Sequence, residues 1–236
     1  MKRFLILLMT LCLLPLAAMA EEEPYRLAAT VTAEQSALLS LPIGGAAEVL
    51  PLVQGDALII TALGTSYCEA VSGDVSGYVA TADIAFDVMN GEATKLGVLE
   101  VSTSNQYWGR VSLWSKPSNK SKALKRIERG AIVLIAGEAD GMWHVYLPDM
   151  DGYLVKKYVK DVKPAESYRI AYVEPGVNAW LRLDSQYAQK YMICKLAPGT
   201  PVQFIKNPNG WAQVEVAGYR GRMLANNLTF EAPEAE

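Results

Sequence analysis

Seven side chains carry most of the recognition chemistry that this sequence offers: Trp114, Trp143, Tyr153, Trp180, Arg182, Trp211 and Arg222. Broad aromatic faces and guanidinium forks are the groups that line shallow grooves for peptides and glycans. Two readings of the tryptophans stand side by side. Each ring packs on its own sheet and stiffens it, or it forms a platform for a ligand. Acid–base and nucleophilic chemistry is poorly supplied by comparison. His144 is the only histidine, so a serine or cysteine nucleophile would have one imidazole to activate it. It follows Trp143 in an apolar run, where a strand histidine is the plainer reading. Paired carboxylates for glycoside cleavage are compatible with the sequence, but nothing in the pattern singles out a pair. Cys12, Cys68 and Cys194 are the three cysteines. With a lone histidine they make no metal-binding spacing. The expectation is a non-enzymatic binding protein with no cofactor and no metal.

The amino terminus reads as an address. Lys2 and Arg3 precede an apolar run over residues 4–16, and Ala18-Met19-Ala20 supplies a small-x-small cleavage site. Residues 1–20 are therefore expected to be a signal peptide cut after Ala20, which makes the protein secreted or extracytoplasmic. The alternative is an uncleaved anchor. Cys12 follows Leu11, whereas lipoprotein signals want a small residue there, so lipidation is not expected. No later segment is apolar enough to span a membrane. The 22 basic and 25 acidic residues give a net charge of −3, or −5 without Lys2 and Arg3. That acidity argues against nucleic acid, which asks for a concentrated basic surface. The middle of the chain is locally basic through Lys116, Lys120, Lys122, Lys125, Arg126 and Arg129. This run either meets an anionic polymer or is a solvated loop. The acidic tail, residues 231–236, reads as solvated. Cys68 and Cys194 are either one bridge or two thiols acting as small hydrophobes.

The elements that position these residues repeat. Gly55 and Gly77, Gly130 and Gly152, and Gly199 and Gly221 are each 22 residues apart. Apolar residues keep one register around them. Leu52, Ile127 and Leu196 stand three before the first glycine. Leu58, Val133 and Val202 stand three after it, and Ile60, Ile135 and Phe204 five after it. Val79, Leu154 and Met223 stand two after the second glycine. Self-similarity of this kind means one small unit repeated three times. The expected bounds are 30–89, 98–162 and 169–230. Polar linkers at 90–97 and 161–167 suggest units arranged as beads with some mutual contact.

Within a unit, alternation with β-branched and aromatic residues between turn formers marks short strands. In the middle unit the expected strands cover residues 111–114, 132–135, 142–147 and 153–155, with 123–127 leading into the Arg129-Gly130 turn. Residues 156–159 suggest one helical turn. No window keeps helical periodicity over three turns. The fold expected is all-β: three tandem small barrels of about five strands each. Gly55, Gly130 and Gly199 are expected to supply positive φ at a hairpin turn. Gly77, Gly152 and Gly221 are expected to begin strands against a packed interior.

These motifs resemble the bacterial SH3-like family (SH3b, or SH3 type 3) of extracellular proteins. The middle unit carries Val111-Ser-Leu-Trp-Ser-Lys-Pro117, Ile127-Glu-Arg-Gly130, Trp143-His-Val145 and Gly152-Tyr-Leu154. The third carries Trp180-Leu-Arg182, Leu196-Ala-Pro-Gly199, Gly210-Trp211 and Gly221-Arg-Met223, where arginine stands in place of the family's tyrosine. The first carries Leu52-Val-Gln-Gly55, Tyr67 and Gly77-Tyr-Val79. The resemblance covers residues 30–230. It implies three SH3-like barrels that bind cell-envelope material, with peptidoglycan peptides as the expected ligand. Trp143 and Trp211 fall at the family's tryptophan position. Trp114 and Trp180 lie on the first strand, with Tyr153, Arg182 and Arg222 flanking. Tyr107 and Trp108 are read as packing one unit on the next. An extracytoplasmic adaptor that binds an envelope protein is the alternative.

Overall fold

Alternating apolar residues need a sheet with one face buried, and the computed structural model builds three such sheets with identical wiring. It describes residues 25–88, 94–102, 109–164 and 168–233. The expected signal peptide and the Tyr107–Trp108 contact lie outside the described residues. In the first unit the strands are β1 (Ala28–Val31), β2 (Gln35–Leu39), β3 (Glu48–Val53), β4 (Ala57–Ala62), β5 (Tyr67–Ser72), β6 (Val75–Ala80) and β7 (Ile84–Phe86). They form one antiparallel sheet in the order β3-β2-β6-β5-β4-β1-β7.

The middle unit repeats that order with β8 (Lys95–Leu99), β9 (Arg110–Trp114), β10 (Ala123–Glu128), β11 (Ile132–Ala139), β12 (Met142–Leu147), β13 (Met150–Val155) and β14 (Val159–Asp161). The third repeats it with β15 (Arg169–Val173), β16 (Trp180–Arg182), β17 (Met192–Lys195), β18 (Pro201–Lys206), β19 (Trp211–Val216), β20 (Tyr219–Leu224) and β21 (Leu228–Thr229). A single 3-10 turn precedes the last strand each time, at Thr81–Asp83, Lys156–Tyr158 and Ala225–Asn227. The helical turn expected at 156–159 is the second of these.

Each sheet has seven strands where five were expected. The additional strands are the short ones at either end of the unit. β8 begins at Lys95, inside the segment expected to be a linker. Its Lys95 and Gly97 masked the apolar alternation, yet it pairs with both β11 and β14.

The repeating glycines serve two geometric needs. Gly55, Gly130 and Gly199 have φ of +96°, +85° and +76°, as expected. The turn they make is not a hairpin, because β3 and β4, or β10 and β11, are not sheet neighbours. Gly77, Gly152 and Gly221 lie inside strands rather than at their starts. A Cβ on Gly152 would come within 2.8 Å of Trp114 O and of Leu113 Cγ, and Gly77 and Gly221 face the same obstruction from Leu39 O and Arg182 O at 2.9 Å. These glycines let β6, β13 and β20 cross closely against β2, β9 and β16.

The units, expected as beads with some mutual contact, go further, and the first two share a core. β11 is buried on both faces over residues 132–136. Ile132, Leu134 and Ala136, with Tyr146, join the core of the first unit around Leu27, Leu58 and Leu63. Val133 and Ile135 point the other way, into the middle unit's own core. The equivalent strand β4 keeps a one-sided alternation. The third unit enters through the β19–β20 hairpin. Its two-residue tip, Ala217-Gly218, has positive φ at both positions, the geometry that matches strand twist in a tight hairpin. Ile132 N donates to Gly218 O at 2.8 Å, and Arg220 N donates to Gly130 O at 2.8 Å. On the first-unit side, the Glu215 carboxylate is 4 % exposed. It accepts from Thr65 N (2.6 Å), Thr65 Oγ1 (3.0 Å), and Arg220 Nη2 (2.9 Å) and Nε (3.2 Å). A buried carboxylate is tolerable only when donors replace its water in this way. Tyr168 Oη also donates to Pro42 O at 2.9 Å. Cys68 is buried, Cys194 is half-buried, and both are free thiols.

Candidate binding surface

The shared wiring defines one equivalent row of three side chains across each unit. In the middle unit the ladder puts Trp114 of β9 opposite Tyr153 of β13, and Tyr153 opposite His144 of β12. Directly opposed residues share a face of the sheet. Tyr153 stacks on His144 with ring centroids 4.8 Å apart and planes 15° from parallel. His144 Nε2 lies 2.8 Å from Asp151 Oδ2, and Tyr146 tilts against the imidazole at 4.8 Å. Tyr25 completes the group, its phenol pushed up by burial and by Asp151. Among the described residues no hydroxyl or thiol hydrogen-bonds to His144. Trp114, Tyr153 and His144 are all half-buried, which leaves part of each ring at the surface.

The same row elsewhere carries other chemistry. In the first unit it is Leu39, Tyr78 and Glu69. Burial raises the Glu69 carboxyl. Burial and then Glu69 push Tyr78 up to about 12. In the third unit the row is Arg182, Arg222 and Gln213.

Trp143 and Trp211 do not share a position. Trp211 opens β19 opposite Leu224, and its equivalent opposite Val155 is Met142. Trp143 is one residue further on, and one residue in a strand changes the face. Its ring therefore packs partly on the middle core. Lys156 Nζ and Lys95 Nζ lie over it at 4.4 and 4.9 Å from the centroid, held in turn by Glu138 and Asp161. Tyr67 is the true counterpart of Trp211, since it opens β5 opposite Ala80.

Arg182 departs from the expectation of a ligand-facing residue. It is 7 % exposed, and Nη1 donates to the carbonyls of Gln186 (3.2 Å) and Tyr187 (3.0 Å). Its Nη1 holds the β16–β17 loop, and burial lowers its pKa. That loop presents Tyr187, which the sequence reading missed. Tyr187 is 65 % exposed and meets Trp211 edge-on at 5.2 Å. The only signal was an aromatic two residues from the turn at 189–191. Trp180 is opposite Lys195 near the sheet edge. Arg222 lies opposite Arg182 and reaches the junction with the middle unit. Trp114, Tyr153 and His144 are thus brought together, and Arg182 is joined to Arg222 in the ladder and to Trp211 through Tyr187, whereas Trp143 and Trp180 stand apart. Among the described residues no three metal-ligating side chains cluster, and no helix is long and apolar enough to cross a membrane.

No protein-family model matches the chain, and no curated protein does. Among solved structures, matches include NlpC2 from Trichomonas vaginalis, at 9 % identity and a TM-score of 0.25, covering 85 % of this chain and 92 % of that one. NlpC1 from the same organism matches at 8 % identity and a TM-score of 0.26, covering 86 % and 89 %. Likenesses at these TM-scores carry no argument about fold or activity.

Proposed function

We propose that the protein is an exported, non-catalytic binding protein whose three units are small SH3-like barrels, and that it holds cell-envelope material, with peptidoglycan peptides as the ligand. The observation that carries this reading is the Trp114–Tyr153–His144 row. It is a partly exposed row of rings on one face of three neighbouring strands, with Tyr153 stacked on His144 and Trp114 opposite Tyr153 in the ladder. Aromatic rings on such a base give contact area at little entropic cost. The variation of the row among identically wired units supports the same reading, since a binding scaffold keeps its frame and changes its surface. Trp143 is a weaker candidate because two lysines already cover its ring.

Sedimentation with purified sacculi tests the proposal. Trp114→Ala with Tyr153→Ala is expected to lower binding by about tenfold or more, the loss typical of removing an aromatic anchor. Near-ultraviolet and far-ultraviolet circular dichroism should report a folded chain. Failure of the wild-type protein to sediment refutes the peptidoglycan reading.

A protein partner is the second reading, and a separate observation favours it. β3 lies at the edge of its sheet, and its Val49 and Val53 are 47 % and 57 % exposed. An open edge with apolar side chains can accept another strand. Pull-down from envelope extract, lost on Val53→Lys, is the expected result under that reading.

A further inference from the structure

Arg129, Arg220 and Arg222 converge on one groove of about 150 Å³ at the junction of the middle and third units, with Glu100, Gln213 and Leu183 also lining it. The junction itself fixes the groove. Gly130 N donates to Leu99 O at 2.7 Å, and Arg220 N donates to Gly130 O at 2.8 Å. No side chain fits between, because a Cβ on Gly130 would overlap Arg220 O.

The three arginines are not in the same electrostatic position. Arg220 is neutralised by the buried Glu215, 2.9 Å away. Arg129 and Arg222 are half-buried, and among the described residues neither has an ion-pair partner. Against Glu100 they leave the groove with one net positive charge. A single excess charge suits a monoanion better than a dianion. Guanidinium forks match the planar oxygens of a carboxylate, and the Gln213 amide adds a donor. Leu183 gives an apolar wall beside the charged end. The volume is well below that of a site for a whole drug-sized ligand, and it suits one small terminal residue.

We propose that this groove binds the free carboxylate of a short peptide ending in a small side chain, with Arg129 and Arg222 as the recognising residues. This goes beyond the function proposed above, which puts the ligand on the aromatic row of the middle unit. The two fail separately, since sacculus sedimentation interrogates Trp114 and Tyr153 whereas the groove is interrogated through its arginines.

The test is a nuclear magnetic resonance titration that follows the arginine Nε–H signals of the whole protein at low salt. The probes are N-acetyl-alanyl-alanine with a free carboxylate, its carboxy-terminal amide, and inorganic phosphate. The Arg129 and Arg222 signals should shift saturably with the free carboxylate, stay in place with the amide, and respond more weakly to phosphate. Arg222→Gln and Arg129→Gln, one from each unit, should each weaken carboxylate binding by about tenfold or more, with the backbone amide spectrum confirming the fold. The proposal is overturned by any of four results: no saturable shift, an equal shift with the amide, tighter binding of phosphate, or wild-type affinity in both folded variants.

Discussion

Leu134→Ala should loosen a unit to which Leu134 does not belong in sequence. Leu134 is 1 % exposed and faces the first unit's core, whereas its neighbour Ile135 faces the middle unit's own. Emptying a buried leucine site costs about 2–5 kcal/mol. Each 1.4 kcal/mol is a factor of ten in an equilibrium constant, so opening of the first unit should rise by roughly 25-fold to a few thousand-fold. The described residues offer a clean reporter. Cys68 lies in the first unit, fully buried, while Trp114, Trp143, Trp180 and Trp211 all lie in the other two. In a Cys194→Ser chain lacking residues 1–20, a thiol reagent reads opening of the first unit and tryptophan fluorescence reads the rest. Labelling of Cys68 tracks the open population when reclosing is fast. Leu134→Ala should accelerate it by the factor above, and Ser118→Ala in the exposed β9–β10 loop should leave it unchanged. A Leu134→Ala protein with a lowered fluorescence midpoint but wild-type Cys68 labelling would refute the shared core.

Three further perturbations probe other joints. Glu215→Ala strips Arg220 and Thr65 of their acceptor at the first–third junction, and urea unfolding should show a loss near 3 kcal/mol, the lower end of the roughly 3–5 kcal/mol for breaking a buried pair, because Arg220 keeps 20 % side-chain exposure. Gly55→Ala and Gly130→Ala impose the same positive-φ strain of about 1–2 kcal/mol, but only the second drives a Cβ into Arg220 O, so thermal melts should show the second as clearly more damaging. Burial raises the Glu69 pKa above its ordinary 4.5, so this residue's stabilising contribution is complete below that value and is lost as pH rises through the raised one. Glu69→Gln, neutral throughout, should therefore melt higher than wild type at neutral pH and lose that advantage in acid; an advantage that grows in acid would contradict the sign.

Much of the fold was written in the sequence because its strongest signals are local. A glycine that must adopt positive φ, or that must let two strands cross, leaves a mark at a fixed place, and three copies of the mark give the period. The short flanking strands were hidden because they are defined by partners far along the chain. Lys95 becomes strand by pairing with Ile135, a choice that no local composition announces. The candidate surface was legible in residue type but not in position. Trp143 and Trp211 look equivalent by motif, and a one-residue offset sends them to opposite faces. Arg182 carries the type expected of a ligand contact, but the β16–β17 loop supplies carbonyls to which its Nη1 donates. Tyr187 carried no pattern, since its exposure depends on that same loop.

The docking of the units was legible too, in a feature easily taken for ordinary core. Residues 131–136 read Ala-Ile-Val-Leu-Ile-Ala, with no polar residue at alternate positions. A strand with one wet face does not need this, whereas a strand buried on both sides does. In the equivalent strands the alternate positions carry Ala57, Ile59 and Thr61, or Pro201, Gln203 and Ile205. Where repeats share a fold, the copy that loses its alternation marks the surface on which a neighbour sits. The same logic explains the polar joint with the third unit. Gln203 and Glu215 are both 4 % exposed and opposite each other in the β18–β19 ladder, on a face that an isolated unit would leave in water. Their burial follows from docking, and the hydrogen bonds of Glu215 to Thr65 are what makes that docking tolerable. An isolated third unit should expose this face without penalty, while an isolated middle unit would expose Ile132, Leu134 and Tyr146 to water. Expressed separately, the third unit should remain monomeric in sedimentation velocity and the middle unit should self-associate. The opposite pattern would mean that β11 is not the strand on which the assembly is built.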